Sequence, residues 1–465
     1  MDRRRTPTVA AARAATAAVA ALAVAVAARP VLAHGGSLGG AARESLSVPT
    51  WLMLSTGGAV VGASFLLATF ATDRSALDWL VDARRRVALP APTALRWTAG
   101  ALGVAALAGI VVTGFVGPTD PLSNPAVVIV WGGWWAGFAM STYLVGNSWP
   151  AVNPWRAIAD VLPNLGREYR WTLGAWPSVA GLLALVWIEV VSPLADEPRV
   201  LAVTVVAYSV VTLAGAVVYG TETWFREADP VSRVFRYYGA VAPVGRGADG
   251  SLSLRFPGAA LTGDRLDGID EAAFVVAILW VTTFDGFVAT PGWQWLARSL
   301  VNLGYPIAAL YPGAMVVGFG AFLGVYLLAS RVARRTAPTY VASETLARRF
   351  APPLLAIAAG YHVAHFLGYF LSLVPALVAA VTAPLATVNP GLIVVPGWFG
   401  GVAIGGVLGG HLLAILAAHV TAFEIFPGRL QAIRSQYPFI AVMIFYTMAS
   451  LWIVTRPDVP LPYLQ

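Results

Sequence analysis

Apolar stretches of about 20 residues, the length of helix that crosses about 30 Å of hydrocarbon, recur along almost the whole of this chain, and that recurrence constrains its fold most. They lie near 49–72, 95–117, 125–147, 172–194, 199–221, 271–290, 306–330, 351–375 and 401–425, with a further run at 437–455. A soluble globule of this size needs ionic groups to coat its surface, yet only 11% of the 465 residues are charged and 58% are hydrophobic, with a mean hydropathy of +0.71. That balance belongs to a membrane protein. The expected fold is all-α: a polytopic transmembrane helical bundle of about ten spans, forming one domain over residues 34–465.

Ahead of the first span, residues 1–33 have a basic start, an Ala/Val-rich centre and small residues around Val31-Leu32-Ala33, the pattern of a secretory signal. Cleavage after Ala33 would place His34 at the N-terminus, where an α-amine beside an imidazole can chelate copper; an ordinary residue in a flexible end is the plainer reading. The net charge of +7 comes from arginine alone, since all 30 basic residues are Arg. With His34 outside, 21 of them fall in cytoplasmic loops and 4 in outer ones (Arg43, Arg199, Arg298 and Arg456), as the positive-inside rule requires. This places the protein in the cell membrane with both mature termini outside. Arginines spread over short loops fit lipid headgroups, and nothing resembles a nucleic-acid module. The longest polar stretch, about 222–270, reads as a cytoplasmic loop with room for one hairpin. Without a single cysteine, disulfides, thiolate nucleophiles and iron–sulfur clusters are excluded, so any metal must be held by His, carboxylate or carbonyl groups.

Four of the five histidines sit on two consecutive spans. In "AGYHVAHFLGYF", His362, His365 and Tyr369 fall within about 60° of one another on one helical face. In the next span, "FGGVAIGGVLGGHLLAILAAHV" carries His411 and His419 behind Gly401, Gly405 and Gly409, with Gly406 and Gly410 beside them, small-residue faces that admit a neighbouring backbone. At a rise of 1.5 Å per residue, His362 and His411 each lie about 16 Å from a membrane face, near mid-membrane. This groups His362, His365 and His411 as a candidate three-nitrogen site for a divalent transition metal (zinc, copper or iron), with His419 a separate group nearer the inner leaflet. The alternative is that these histidines hydrogen-bond across helices as packing contacts.

Two carboxylates also fall inside spans. Asp285, in "WVTTFDGFVATPGW", is the candidate general base, metal ligand or proton carrier, or else a satisfied polar group beside Gly286. Glu189, in "LVWIEVVSPL", reads as interfacial. The stretches 146–165, with Trp149, Trp155 and Arg156, and 220–244 read as anchors lying on the inner membrane surface.

The segments "YHVAHF", "GHLLAILAAHVTA", "QYPFIAVMIFYTMASLWI", "LVGNSWPAVNPWRAIADVL" and "GTETWFREADPVSRVFRYYGAVAPV" resemble the multi-pass membrane proteins of the fenitrothion hydrolase-like family. The resemblance implies hydrolysis of an organophosphate triester. On that expectation a metal at His362, His365 and His411 lowers the pKa of a bound water, Asp285 serves as base or ligand, and an apolar triester arrives from the lipid bilayer. Where the family pattern has an acidic residue soon after the last histidine, this chain has "HVTAFE" around His419. Two rival expectations use the same residues: a permease or metal/proton-handling protein whose histidines relay a cation, and a haem b protein with His362 or His365 paired to His411.

Overall fold

The computed structural model describes residues 58–59, 62–66, 84–87 and 93–463, apart from 248–250, 388–389, 397, 455–458 and 460. The signal-like segment 1–33, His34 and most of 49–72 lie outside the described residues. Among those described, seven helices are long and apolar enough to cross a membrane: Ala94–Val116, Pro125–Leu144, Pro198–Tyr219, Ile269–Val288, Ile307–Thr336, Ser343–Ser372 and Ile404–Ile425. The expected run at 172–194 forms a helix only 16 residues long, and the described part of the run at 437–455 lies within a 26-residue helix, Arg429–Val454, that is not one of the seven. The fold is an all-α membrane bundle.

In chain order the elements that place the site are α1 (Thr93–Val116), α2 (Pro125–Leu144), α3 (Trp176–Val191), α4 (Pro198–Tyr219), α5 (Pro230–Val241), α6 (Ile269–Val288), α7 (Pro291–Asn302) and α8 (Ile307–Thr336). They are followed by α9 (Ser343–Phe350), α10 (Leu354–Ser372), α11 (Val374–Thr382), α12 (Phe399–Ile425) and α13 (Arg429–Val454). Burial ranks them: 72% of the apolar window of α6 is buried against 17% of that of α1, so α6 is the central post and α1 an outer wall. Proline occupies the first turn of α2 to α5, where its missing N–H costs nothing.

Two features of the helices are set by glycine. The centre of α2, Ile129–Phe138 with Gly132, Gly133 and Gly137, winds as a π-helix, the wider turn that recurs at functional sites. Gly360 of α10 meets Gly406 and Gly410 of α12 so closely that a Cβ at Gly360 would strike the Gly406 carbonyl, and one at Gly410 the Ala356 carbonyl. Gly401, Gly405 and Gly409 have open space instead. The close seam therefore runs through Gly406 and Gly410, and the other glycine face is left unpacked.

The polar stretch between α4 and α6 is more than a loop. Its hairpin, β2 (Val244–Arg246) and β3 (Leu252–Arg255), is present, and β1 (Arg84–Val87) adds to it antiparallel with Arg84 opposite Arg255, giving the order β1-β3-β2. Helix α5, expected to lie on the membrane surface, is instead packed inside the bundle, with Arg233, Phe235 and Tyr238 all at or below 1% exposure. A buried guanidinium is tolerated only when paired and hydrogen-bonded. Arg233 donates to Glu271 (2.7 Å), Tyr237 Oη (3.1 Å), the Arg226 and Glu227 carbonyls (2.8 and 3.0 Å) and the Glu227 carboxylate (3.2 Å). Burial works against its charge, but Tyr237 and Glu271 outweigh that and hold the guanidinium above its ordinary value.

Candidate functional site: an intramembrane chamber

The height of the Glu189 and Asp285 carboxylates follows from how α3 and α6 start. The Asp270 carboxylate, in the first turn of α6, accepts a hydrogen bond from the Ala175 N–H at the N-cap of α3 (2.5 Å), which sets the two helices side by side in the same direction. Glu189 lies fourteen residues after Ala175 and Asp285 fifteen after Asp270. At 1.5 Å per residue both carboxyls stand about 21–23 Å above that tie. They are within electrostatic reach of each other. Glu189, two residues from the C-terminal end of α3, is thus paired with Asp285, three residues from that of α6.

The pair faces a chamber of about 630 Å³, within the range of small-molecule sites. Its wall is almost wholly apolar, built from α1, the π-helical part of α2, and α3 to α6 and α10. The π turn sends Trp131, Trp134, Trp135 and Phe138 into that wall. Trp149 and Trp155, read from sequence as surface anchors, also line it; they are 5% and 8% exposed, and their indole N–H groups donate to Ser232 (3.2 Å) and Ser209 (2.7 Å). Leu102 of α1 lines the chamber and is 66% exposed, so the cavity lies directly beneath the outer surface of the bundle.

Helix α10 brings the remaining polar groups. Tyr361, His362, His365, Phe366 and Tyr369 all line the chamber, as spacings of three and four residues on one helix dictate. Tyr361 is within electrostatic reach of Asp285, and Tyr369 of Glu189. The Tyr361 and His365 rings stack, 5.5 Å apart and 15° from parallel. His362 is fully buried; its Nδ1 is 2.9 Å from Tyr143 Oη on α2, its ring sits edge-on to Trp135 at 5.5 Å, and the Trp135 backbone lies close by. Three polar atoms of the wall have no hydrogen-bond partner among the described residues: His362 Nε2, Tyr369 Oη and Trp131 Nε1. Tyr208, also in the wall, is satisfied, donating to Asp229, whose carboxyl is pushed up by burial and drawn back by its bonds from Tyr208 and Ser232.

His411 and His419 are placed elsewhere. One residue along α12 from Gly410, and so turned by about 100°, His411 points away from the α10 seam toward α13. Its Nδ1 lies 2.8 Å from the Val407 carbonyl, which can only accept, so Nδ1 carries a proton; its Nε2 lies 2.6 Å from the Thr447 hydroxyl, which itself reaches the Met443 carbonyl at 2.8 Å. Both nitrogens are engaged. His419 pairs with the Gln436 side chain of α13 at 3.3 Å. Neither lines the chamber, so the structure joins His362 and His365 to Asp285 and Glu189, and leaves His411 and His419 as contacts between α12 and α13. Among the described residues no group of three or more His, Asp or Glu side chains is disposed to hold a metal ion.

Sequence reasoning passed over Tyr143, Trp135 and Tyr361. The signal for Tyr361 was its spacing of four to His365; Tyr143 is more than 200 positions from His362, and only the fold joins them. Comparison of the chain with protein-family models, with curated proteins and with solved structures finds no match.

Proposed function

We propose that this protein binds a lipophilic small molecule within the membrane and couples that binding to a proton held by Glu189 and Asp285, as a proton-handling permease does. The observation that carries the reading is the pair itself: two carboxylates at one height, facing an aromatic chamber whose wall contains no arginine among the described residues. Ionisable groups inside a membrane are costly and are kept where they pair or move charge. In this reading the arginine-rich side is cytoplasmic, so the pair lies in the outer half of the bundle. His365 is the pair's basic neighbour, and Tyr143 orients His362 through Nδ1. Hydrolysis of a phosphotriester at a histidine-held metal is supported by less, because His411 spends both nitrogens on Val407 and Thr447.

The test uses protein reconstituted in lipid nanodiscs and three aryl probes of different charge: tetraphenylphosphonium, triphenylphosphine oxide and tetraphenylborate. Equilibrium dialysis should find at least one of them bound saturably at one site per chain, and Leu107→Trp, which fills the chamber from α1, should abolish that site. Saturable binding by none of the three, or binding untouched by Leu107→Trp, would contradict the reading.

A further inference from the structure

We infer that the chamber is loaded sideways from the bilayer, through a window between α3 and α4, so that its ligand is a molecule dissolved in the hydrocarbon of the membrane. This rests on the chamber reading above and adds to it the source of the ligand and its route.

The window follows from what these two helices pack against. Consecutive elements joined by a short link usually lie against each other, and only Ser192–Glu197 separates α3 from α4. The two nevertheless do not pack together. Helix α3 is held by α6 and by α5, whose Pro230 ring lies 3.1 Å from where a Cβ on Gly181 would stand. Helix α4 turns instead to α1, so tightly that a Cβ on Gly114 would overlap Ala202.

The gap between α3 and α4 has a frame. At its outer end the link closes it, with Leu194 only 4% exposed and forming part of the chamber wall. At its inner end the π-helical turn Trp224–Ala228 and the adjoining Pro230 make a sill that touches both helices. Pro230 rests on Gly181 of α3, and the Trp224 ring occupies the place that a Cβ on Gly215 of α4 would need. The chamber lies behind this frame, because both helices line it: α3 with Leu182, Leu185 and Glu189, α4 with Leu201, Thr204 and Tyr208.

Heights match across the opening. Leu185 lies seven residues before Ser192 and Thr204 seven after Glu197, so at 1.5 Å per residue both stand about 10 Å below the link, one on each side. The outward surface of α4 beside them is apolar, with Val203, Val206, Val210 and Val211 exposed. A molecule already in hydrocarbon passes such a rim without changing its medium, whereas a hydrated one would shed its water there. Glu189, about 5 Å below the link, stands where an entering molecule meets one of the two carboxyls.

The test measures the association rate of whichever aryl probe binds saturably in nanodiscs: tetraphenylphosphonium, triphenylphosphine oxide or tetraphenylborate. Substitutions that only remove contacts act chiefly on release, so slowed association marks a blocked passage. Leu185→Trp combined with Thr204→Trp fills the window from both sides and should slow association at least tenfold. Leu185→Ala widens it and should speed association at least threefold. Ala105→Trp, on the exposed side of α1 and outside the chamber wall, should leave the association rate within twofold. If the tryptophan pair binds no probe, Leu185→Ala decides. Unchanged association in Leu185→Ala, a tryptophan pair that binds at the wild-type rate, or slowing by Ala105→Trp as large as by that pair would overturn the window while leaving a ligand-binding chamber in place. Absence of saturable binding of all three probes by the wild type would overturn both.

Discussion

At the scale of single residues, the histidines divide by what their nitrogens touch. Both nitrogens of His411 are engaged, by Val407 and Thr447, whereas His362 has one nitrogen on Tyr143 and the other, at the chamber, without a partner among the described residues. His411→Ala should therefore weaken the α12–α13 contact by about 1–2 kcal/mol in reversible unfolding from mixed micelles, and leave probe binding within twofold. His362→Ala should change probe affinity several-fold. Loss of probe binding in His411→Ala with the bundle intact would contradict the division. Polar groups inside spans were legible as residues of interest from composition alone, since so few occur. Which of them share a site was not, because one helical position separates Gly410 at the α10 seam from His411 facing α13, and that rotation is decided by packing across helices.

At the scale of elements, the α10–α12 seam and the α3–α6 tie hold the site in place. A Cβ at Gly360 would meet the backbone of α12, which cannot swing aside as a side chain can. Gly360→Ala should cost about 2–3 kcal/mol by the same unfolding measurement. Gly405→Ala, with nothing within 4 Å, should be neutral or stabilise by up to about 1 kcal/mol through helix propensity. Equal costs at the two positions would show that the seam runs elsewhere. Small-residue spacing on α12 was readable in sequence, but two glycine faces offered themselves and only the partner's Gly360 selects between them. Helices α2, α4, α6, α8 and α12 were legible from apolar length. The burial of α5 was not: an Arg- and Tyr-rich segment reads as interfacial until Glu271 and the Glu227 carbonyl are seen to satisfy Arg233.

At the scale of the molecule, the bundle isolates an apolar space and gives it two carboxylates at one height, fixed by the Asp270–Ala175 tie at the far end of the same helices. The most direct measurement is an infrared difference spectrum of the nanodisc-embedded protein on adding whichever of the three aryl probes binds saturably. The account predicts a change in protonated-carboxyl C=O absorbance when the probe binds, with the signal abolished in the Glu189→Gln/Asp285→Asn double variant. A spectrum with no carboxyl change, or the same change in the double variant, would contradict it.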